Sequence, residues 1–183
     1  MKSFDQIIIV GAGGHGRSVA EIIIFNSIDS QKIIGFIDDS WPTKQDVWGI
    51  PILGDTADVA KYLPHAKNAI VAIGNNKLRK NLQARLIEAG FNIITVIHPQ
   101  AIVSPSAKIG MGCTIMAGAI IGTESQLGDG VIVNSGAVVD HHCEVRDYGH
   151  TTVILALALS WRVARILVLV LGYMQVIRLV MVR

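Results

Sequence analysis

Every sixth residue from Val103 is aliphatic: Val103, Ile109, Ile115, Ile121, Leu127, Val133, Val139 and Val145. Glycines fall one position later, at Gly110, Gly122 and Gly128, or three later, at Gly112, Gly118, Gly130 and Gly136. A helix repeats about every 3.6 residues and a strand roughly every 2, so neither accounts for a strict six. A run of very short strands, each followed by a corner, does account for it. Three hexapeptides then close one triangular coil, with the aliphatic residue of each wall inside and small residues at the corners. The spacing predicts a parallel β-helix over residues 100–150, against the alternative of a β-sandwich with coincidental spacing. The next inward position is Thr151, and beyond Val153 the only glycine is Gly172.

Residues 1–99 read differently. Apolar runs at Gln6–Val10, Lys32–Ile37, Ala69–Ile73 and Asn92–Ile97 alternate with helical spacing over Arg17–Asn26 and Lys77–Ala89. Leu78, Leu82, Leu86 and Ala89 form the expected apolar face of the later helix, and Gly90 its terminator. Strand–helix alternation of this kind predicts a parallel sheet with crossover helices, an α/β Rossmann-like domain. Its first turn, Gly11-Ala12-Gly13-Gly14-His15-Gly16, fits G-x-G-x-x-G between a strand and a helix, with Asp38 and Asp39 ending the next strand. Glycines let backbone approach a phosphate, the helix start offers free N–H groups, and an acidic residue can take a ribose hydroxyl. A turn needed only for packing would show the same glycines. NAD is a competing ligand, but about 95 residues suit a mononucleotide half better, and His15 inside the loop is unusual for NAD. Gly74-Asn75-Asn76 follows the third strand, where such sheets present ligands, and reads equally well as a polar loop with a helix N-cap.

The histidines cluster at a β-helix turn, Asp140-His141-His142-Cys143, with His150 nine residues after His141. Exposed histidines on a solenoid corner have no packing reason to gather. Group transfer to an amine or hydroxyl needs a base that titrates near neutrality, and histidine is the usual one. A zinc site from His141, His142, Cys143 and His150 is the alternative, disfavoured because His141 and His142 are expected on opposite sides of a strand. Cys113 reads as a small buried residue, and His65 and His98 carry no assigned role. No bound metal is expected.

Charge and cysteine content exclude other classes. The net charge of +2 comes from the end of the chain: residues 1–150 hold twelve basic and fourteen acidic residues, whereas residues 151–183 hold four arginines and no acid. Basicity therefore gives no nucleic-acid reading. Two cysteines without a C-x-x-C pattern, and no signal-peptide pattern at the start, place the expected protein in the cytoplasm. Residues 151–183 form an atypical apolar basic tail. Its longest uninterrupted run, Ile166–Ile177, is 12 residues, short of the roughly 20 needed to span a bilayer; a membrane-surface helix is the weaker alternative. Read one base out of frame, Ala156–Ala164 permits Pro-Gly-Ala-x-Leu-Ala-Gly-Gly, so the tail is expected to be the out-of-frame end of a longer β-helix.

Together, Val10–Gly16, Phe36-Ile37-Asp38-Asp39, Ala72–Asn76, Ile97-His98-Pro99 and the hexapeptide block ending Asn134–His141 resemble the bacterial NeuD/PglD-like sugar acetyltransferase family over residues 6–150. The resemblance implies a left-handed β-helix, a homotrimer, acetyl-CoA as donor, and a UDP-linked amino sugar or sialic-acid-type sugar as acceptor in surface glycan biosynthesis. It implies Gly13, Gly14, His15, Asp38, Asp39 and Gly74 as substrate contacts, His141 as general base with His142 beside it, and His150 near the acetyl group. One departure stands out: the residue after the catalytic histidine is usually acidic in that family and is His142 here. The competing functions are a nucleotide-sugar-binding protein without turnover and, less favoured, an NAD-dependent oxidoreductase.

Overall fold

The computed structural model describes residues 6–26, 33–57 and 59–151. The expectations for the first residues and for the tail after Thr151 fall outside them. The chain divides into two compact units, between Val96 and Ile97.

Unit 1 is a six-stranded sheet. Strands β1 (Ile7–Val10), β2 (Ile33–Ile37), β3 (Asp46–Val47), β4 (Ile50–Gly54), β5 (Asn68–Val71) and β6 (Asn92–Ile93) lie in the order β3-β4-β2-β1-β5-β6. All pairings are parallel except the β3–β4 hairpin. Helix α1 (Gly14–Asn26) joins β1 to β2, and α2 (Asn76–Glu88) joins β5 to β6. Alternation along the strands sorts the core. Ile8, Val10, Ile37, Ala69 and Val71 pack with Leu82 and Leu86 of α2. Ile9, in register with Phe36 and Ile70, points to the opposite face. A Cβ added to Gly16 of α1 would come within 3.8 Å of the Phe36 ring, so α1 covers that face.

Four details differ from the sequence reading. Helix α1 begins at Gly14, inside the glycine turn, not at Arg17. The β3–β4 hairpin is two short strands without a long apolar run, and hydropathy missed it. The run Asn92–Ile97 is not one strand: Asn92–Ile93 closes the sheet, whereas β7 (Val96–Ile97) opens the coils. The buried residues of α2 are Arg79, Leu82, Gln83 and Leu86, and Leu78 is exposed. Gly90 does terminate α2, with φ +95° and its N–H donated to the Ile87 carbonyl.

Unit 2 is the coil. Strands β8 (Ile102–Val103), β9 (Lys108–Ile109), β10 (Thr114–Ile115), β11 (Ile120–Ile121), β12 (Gln126–Leu127), β13 (Ile132–Val133), β14 (Val138–Val139), β15 (Glu144–Val145) and β16 (His150–Thr151) recur every six residues. They sort into three parallel walls, β16-β13-β10-β7, β14-β11-β8 and β15-β12-β9, with each residue above the one 18 earlier. The expected aliphatic ladder is inside, from Ile115 to Val145 almost fully buried. A second ladder two residues earlier, Cys113, Ala119, Ser125, Val131, Ala137 and Cys143, is buried too. Thr151 continues the first ladder, paired with Val133, so the coil carries one residue past the expected limit.

Corners explain four of the glycines, Gly112, Gly118, Gly130 and Gly136. Positions 112, 118, 124, 130, 136, 142 and 148 all have left-handed backbone. Glycine fills four of them, and Glu124, His142 and Tyr148 fill the rest with φ of 56–58°. Glycine adopts this conformation freely; other residues pay about 1–2 kcal/mol. Carboxylates tie one coil to the next: Asp129 accepts from the Met111 N–H and Asp147 from the Asp129 N–H, both at 2.9 Å.

Candidate functional site

The first candidate site lies on unit 1, at the carboxyl ends of β1 and β5. The chain runs from β1 toward β2 on one side and reaches β5 on the other, so this is the switch point at which open α/β sheets take ligands. The two flanking loops touch. Gly11 has φ +110°, and a Cβ there would sit 2.6 Å from the Ala72 carbonyl oxygen. A Cβ at Gly16 would overlap the Gly11 carbonyl oxygen. Those two glycines are needed for the turn to close. Gly13, Gly14 and Gly74 are different: none has left-handed φ, and a Cβ at any of them would meet nothing within 4 Å. Packing does not require glycine at these three positions. Open space above bare backbone is what a closely approaching ligand uses.

Asp38 and Asp39 carry structural duties at this site. The Asp38 carboxylate accepts the Ala12 N–H at 2.7 Å and the Ser40 N–H at 2.9 Å, bracing the glycine turn. Burial pushes the Asp38 carboxyl up, but the Ser40 side chain, the two N–H donors and the Lys44 charge outweigh it and hold the group below its ordinary value. Asp39 accepts the Thr56 N–H at 2.9 Å. Carboxylate oxygens have further lone pairs, so these bonds leave capacity for a ligand hydroxyl. Lys44 Nζ donates to the Ala12 carbonyl at 3.1 Å, which sets a cation beside the turn. His15 is half-buried in the first turn of α1.

The loop after β5 is held from behind. Asn75 caps α2, its side chain accepting the Leu78 N–H at 2.9 Å. Arg79 is fully buried, and Nη1 donates to the carbonyls of Ile73 at 2.8 Å and Gly74 at 3.1 Å. Its Nη2 donates to the Asn76 side chain at 2.9 Å. Hydropathy concealed this residue, because a charged side chain on a helix reads as solvent-facing.

The second candidate site is the corner of unit 2 between β14 and β15. His141 and His142 form the turn and are both exposed. They do not point to opposite sides as a strand would have them. Their rings meet edge to face, with centroids 5.1 Å apart and planes at 88°. Asp140 serves the backbone: its carboxylate accepts the His141 N–H at 2.7 Å. A carboxylate reaches the pair from the coil below, with Glu124 Oε2 3.0 Å from His142 Nδ1. Glu124 lies one circuit before His142, so counting back 18 residues would have found it. Gly122 lies beneath His141, where a Cβ would come 2.6 Å from the His141 nitrogen.

The other site residues are elsewhere. His150 is on β16 beside Ile132, on a different wall from β14. Cys143 faces the interior, its thiol pushed up by burial and then by Asp140. The alternative zinc set is therefore not assembled, and among the described residues no group of three or more His, Cys, Asp or Glu is placed to hold a metal. Among the same residues, no helix is long and apolar enough to cross a membrane.

A nucleotide-type switch point followed by hexapeptide coils with a histidine corner defines a class, the hexapeptide-repeat transferases that carry an amino-terminal α/β domain. Comparison with known proteins narrows it. Residues 6–86 match the PglD N-terminal domain, and residues 106–141 match the bacterial transferase hexapeptide of six repeats. The chain is 38% identical to UDP-N-acetylbacillosamine N-acetyltransferase of Bacillus subtilis (strain 168), over 61% of this chain and 51% of that one. It thus spans about half the length of that relative. Among solved structures it resembles the acetyltransferase domain of PglB from Neisseria gonorrhoeae FA1090 in complex with acetyl coenzyme A (39% identity, TM-score 0.72, 80% of this chain and 70% of that one). It also resembles PerB from Caulobacter crescentus in complex with CoA and GDP-perosamine (34% identity, TM-score 0.73, 79% and 67%). The chain belongs to the NeuD/PglD-like sugar acetyltransferases, and its coil is the left-handed β-helix of that family.

Proposed function

We propose that this protein is an acetyl-CoA-dependent N-acetyltransferase acting on a nucleotide-linked amino sugar, UDP- or GDP-linked, in surface glycan biosynthesis in the cytoplasm. Residues 1–99 would hold the nucleotide sugar and residues 100–150 would carry the chemistry. The observation that carries the reading is the set of glycines that packing does not need, Gly13, Gly14 and Gly74, at the switch point of unit 1. The names of the relatives support it, since they act on UDP- and GDP-linked amino sugars and the solved structures hold CoA or acetyl-CoA.

In this reading His15, Asp38 and Asp39 contact the nucleotide sugar beside those glycines. His141 is the general base. The sugar amine attacks the thioester carbonyl carbon, His141 takes the amine proton, the carbon–sulfur bond breaks, and the proton leaves with the CoA thiol. His142 and Glu124 support the base, and His150 lies toward the acetyl group. The working assembly is a homotrimer. The test is CoA thiol release with UDP- and GDP-amino sugars: turnover lost in His141→Ala supports the reading, and turnover unchanged in that variant removes His141 from it.

One observation favours a second reading, nucleotide-sugar binding without turnover. The family's acidic neighbour is His142 here, and Asp140 is bonded to the His141 backbone instead of its ring. Binding of UDP or GDP with no thiol release from any sugar would select that reading.

A further inference from the structure

Arg79 is a charged residue at a fully buried position of α2. Burying a guanidinium costs several kcal/mol unless good hydrogen bonds return it. Here those bonds go to one short loop, at Ile73, Gly74 and Asn76. A trans peptide directs its C=O and N–H to opposite sides. With the Ile73 carbonyl turned in to Arg79, the Gly74 N–H faces away from it. With the Gly74 carbonyl also turned in, so does the Asn75 N–H. Arg79 is fully buried, whereas Gly74 and Asn75 are exposed. Away from the guanidinium is therefore outward, at the carboxyl end of β5. A Cβ at Gly74 would meet nothing within 4 Å, so the loop is open beside that residue.

We infer that Arg79 is a positioning residue for nucleotide recognition. It rotates the two peptide units so that the Gly74 and Asn75 N–H groups donate to acceptor oxygens of the bound nucleoside diphosphate. This rests on the nucleotide-sugar reading proposed above and names the donors and the residue that sets them. A lysine would keep the charge but could not bind two carbonyls and a side-chain amide with a rigid fork.

Calorimetric titration with UDP, GDP and inorganic pyrophosphate tests the inference, on the full chain and on Arg79→Lys and Gly74→Ala. Gly74→Ala meets no atom in the folded chain, so it is expected to unfold like the parent and to bind UDP or GDP at least about tenfold more weakly, the effect of one or two lost charge-assisted bonds. Arg79→Lys is expected to weaken binding comparably. In turnover the nucleotide-sugar KM rises while the acetyl-CoA KM and kcat hold, a split that a purely structural role would not produce. Pyrophosphate binding that falls in parallel assigns the donors to the diphosphate; pyrophosphate that never binds, with UDP or GDP weakened, assigns them to the nucleoside. Parent affinity in Gly74→Ala overturns the inference alone, even where Arg79→Lys fails to fold. A parent that binds none of the three probes overturns the nucleotide reading itself.

Discussion

Gly122 offers a quantitative test of how the coil supports the histidine corner. A Cβ at this position would lie 2.6 Å from the His141 nitrogen, 2.8 Å from the Asp140 carbonyl carbon and 3.1 Å from the His141 Cα. All three atoms are backbone, so none can swing aside as a side chain would. Ordinary contact begins at 3.4 Å, so Gly122→Ala must move the upper coil by about 0.8 Å. The Gly122 N–H to Val139 carbonyl bond, 2.7 Å in the parent, would stretch toward about 3.5 Å, past a useful hydrogen bond. Overpacking of this kind costs about 1–3 kcal/mol and the lost bond about 1 more. A chain of this size loses roughly 2–4 °C of Tm per kcal/mol, so a fall of about 5–15 °C is expected. With His141 as the base proposed above, a displacement close to 1 Å would also cost about a hundredfold in rate. Thermal unfolding followed by circular dichroism, with thiol release on the same samples, reads both effects. A Gly122→Ala protein with the parent's Tm and rate would refute the argument that the coil below fixes His141.

Other perturbations separate the roles of neighbouring groups. Asp38 has a folded-state pKa below its ordinary 3.8, so its contribution to stability is present above that value and is lost as pH falls through the lower folded value. Asp38→Asn should therefore be less stable than the parent at pH 7, with the gap narrowing in denaturant titrations as pH drops below 3.8; a gap independent of pH would contradict the bracing role. His142→Gly relieves a left-handed backbone but removes an exposed contact with the Glu124 carboxylate, worth under about 1 kcal/mol. The expected denaturant midpoint is equal to or above the parent's, and a loss above about 1 kcal/mol would mean that the Glu124 contact matters more than its exposure allows. Cys143 is buried with its thiol pushed up, so iodoacetamide at pH 7.5 should label it only after unfolding. Rapid labelling of the native protein would place it outside the coil.

The coil was legible in the sequence because its period fits neither a helix nor an ordinary strand: eight aliphatic residues at a spacing of six fix which side chain is inside each wall. The glycine turn was legible for a similar reason, since its backbone contacts exclude a side chain at Gly11 and Gly16. What escaped depends on contacts distant along the chain. Asp38 reads as a ribose ligand because its spacing from Gly16 suits one, and what that spacing could not show is that its carboxylate also braces Ala12 and Ser40. The Asn92–Ile97 run is uniformly β-prone, and only pairing partners show that it belongs to two sheets. Arg79 breaks the rule that a helix buries its apolar residues, and it does so because the loop it serves has carbonyls to satisfy. Leu78, its apolar neighbour, is exposed.

The corner histidines show where such a fold stores its control. In a helix or sheet, the residues that orient a side chain lie a few positions away or on a neighbouring strand of arbitrary distance. In this coil they lie one circuit back. Gly122 sits under His141, Glu124 under His142, and the Ser125 hydroxyl under Cys143 donates to the Asp140 carbonyl at 2.6 Å. Gly122 and Glu124 lie 19 and 18 residues before the histidines above them, close to the spacing of the paired strands, and Ser125 lies 15 before the carbonyl it bonds. A change at the corner itself can therefore be offset from the coil below without altering any adjacent position. The Glu124 carboxylate reaching His142 from beneath has the geometry of such an offset. Glu124→Ala would remove the contact to His142 without disturbing the ladder of buried aliphatics, because Glu124 lies outside it and its own N–H remains bonded to the Ser106 hydroxyl.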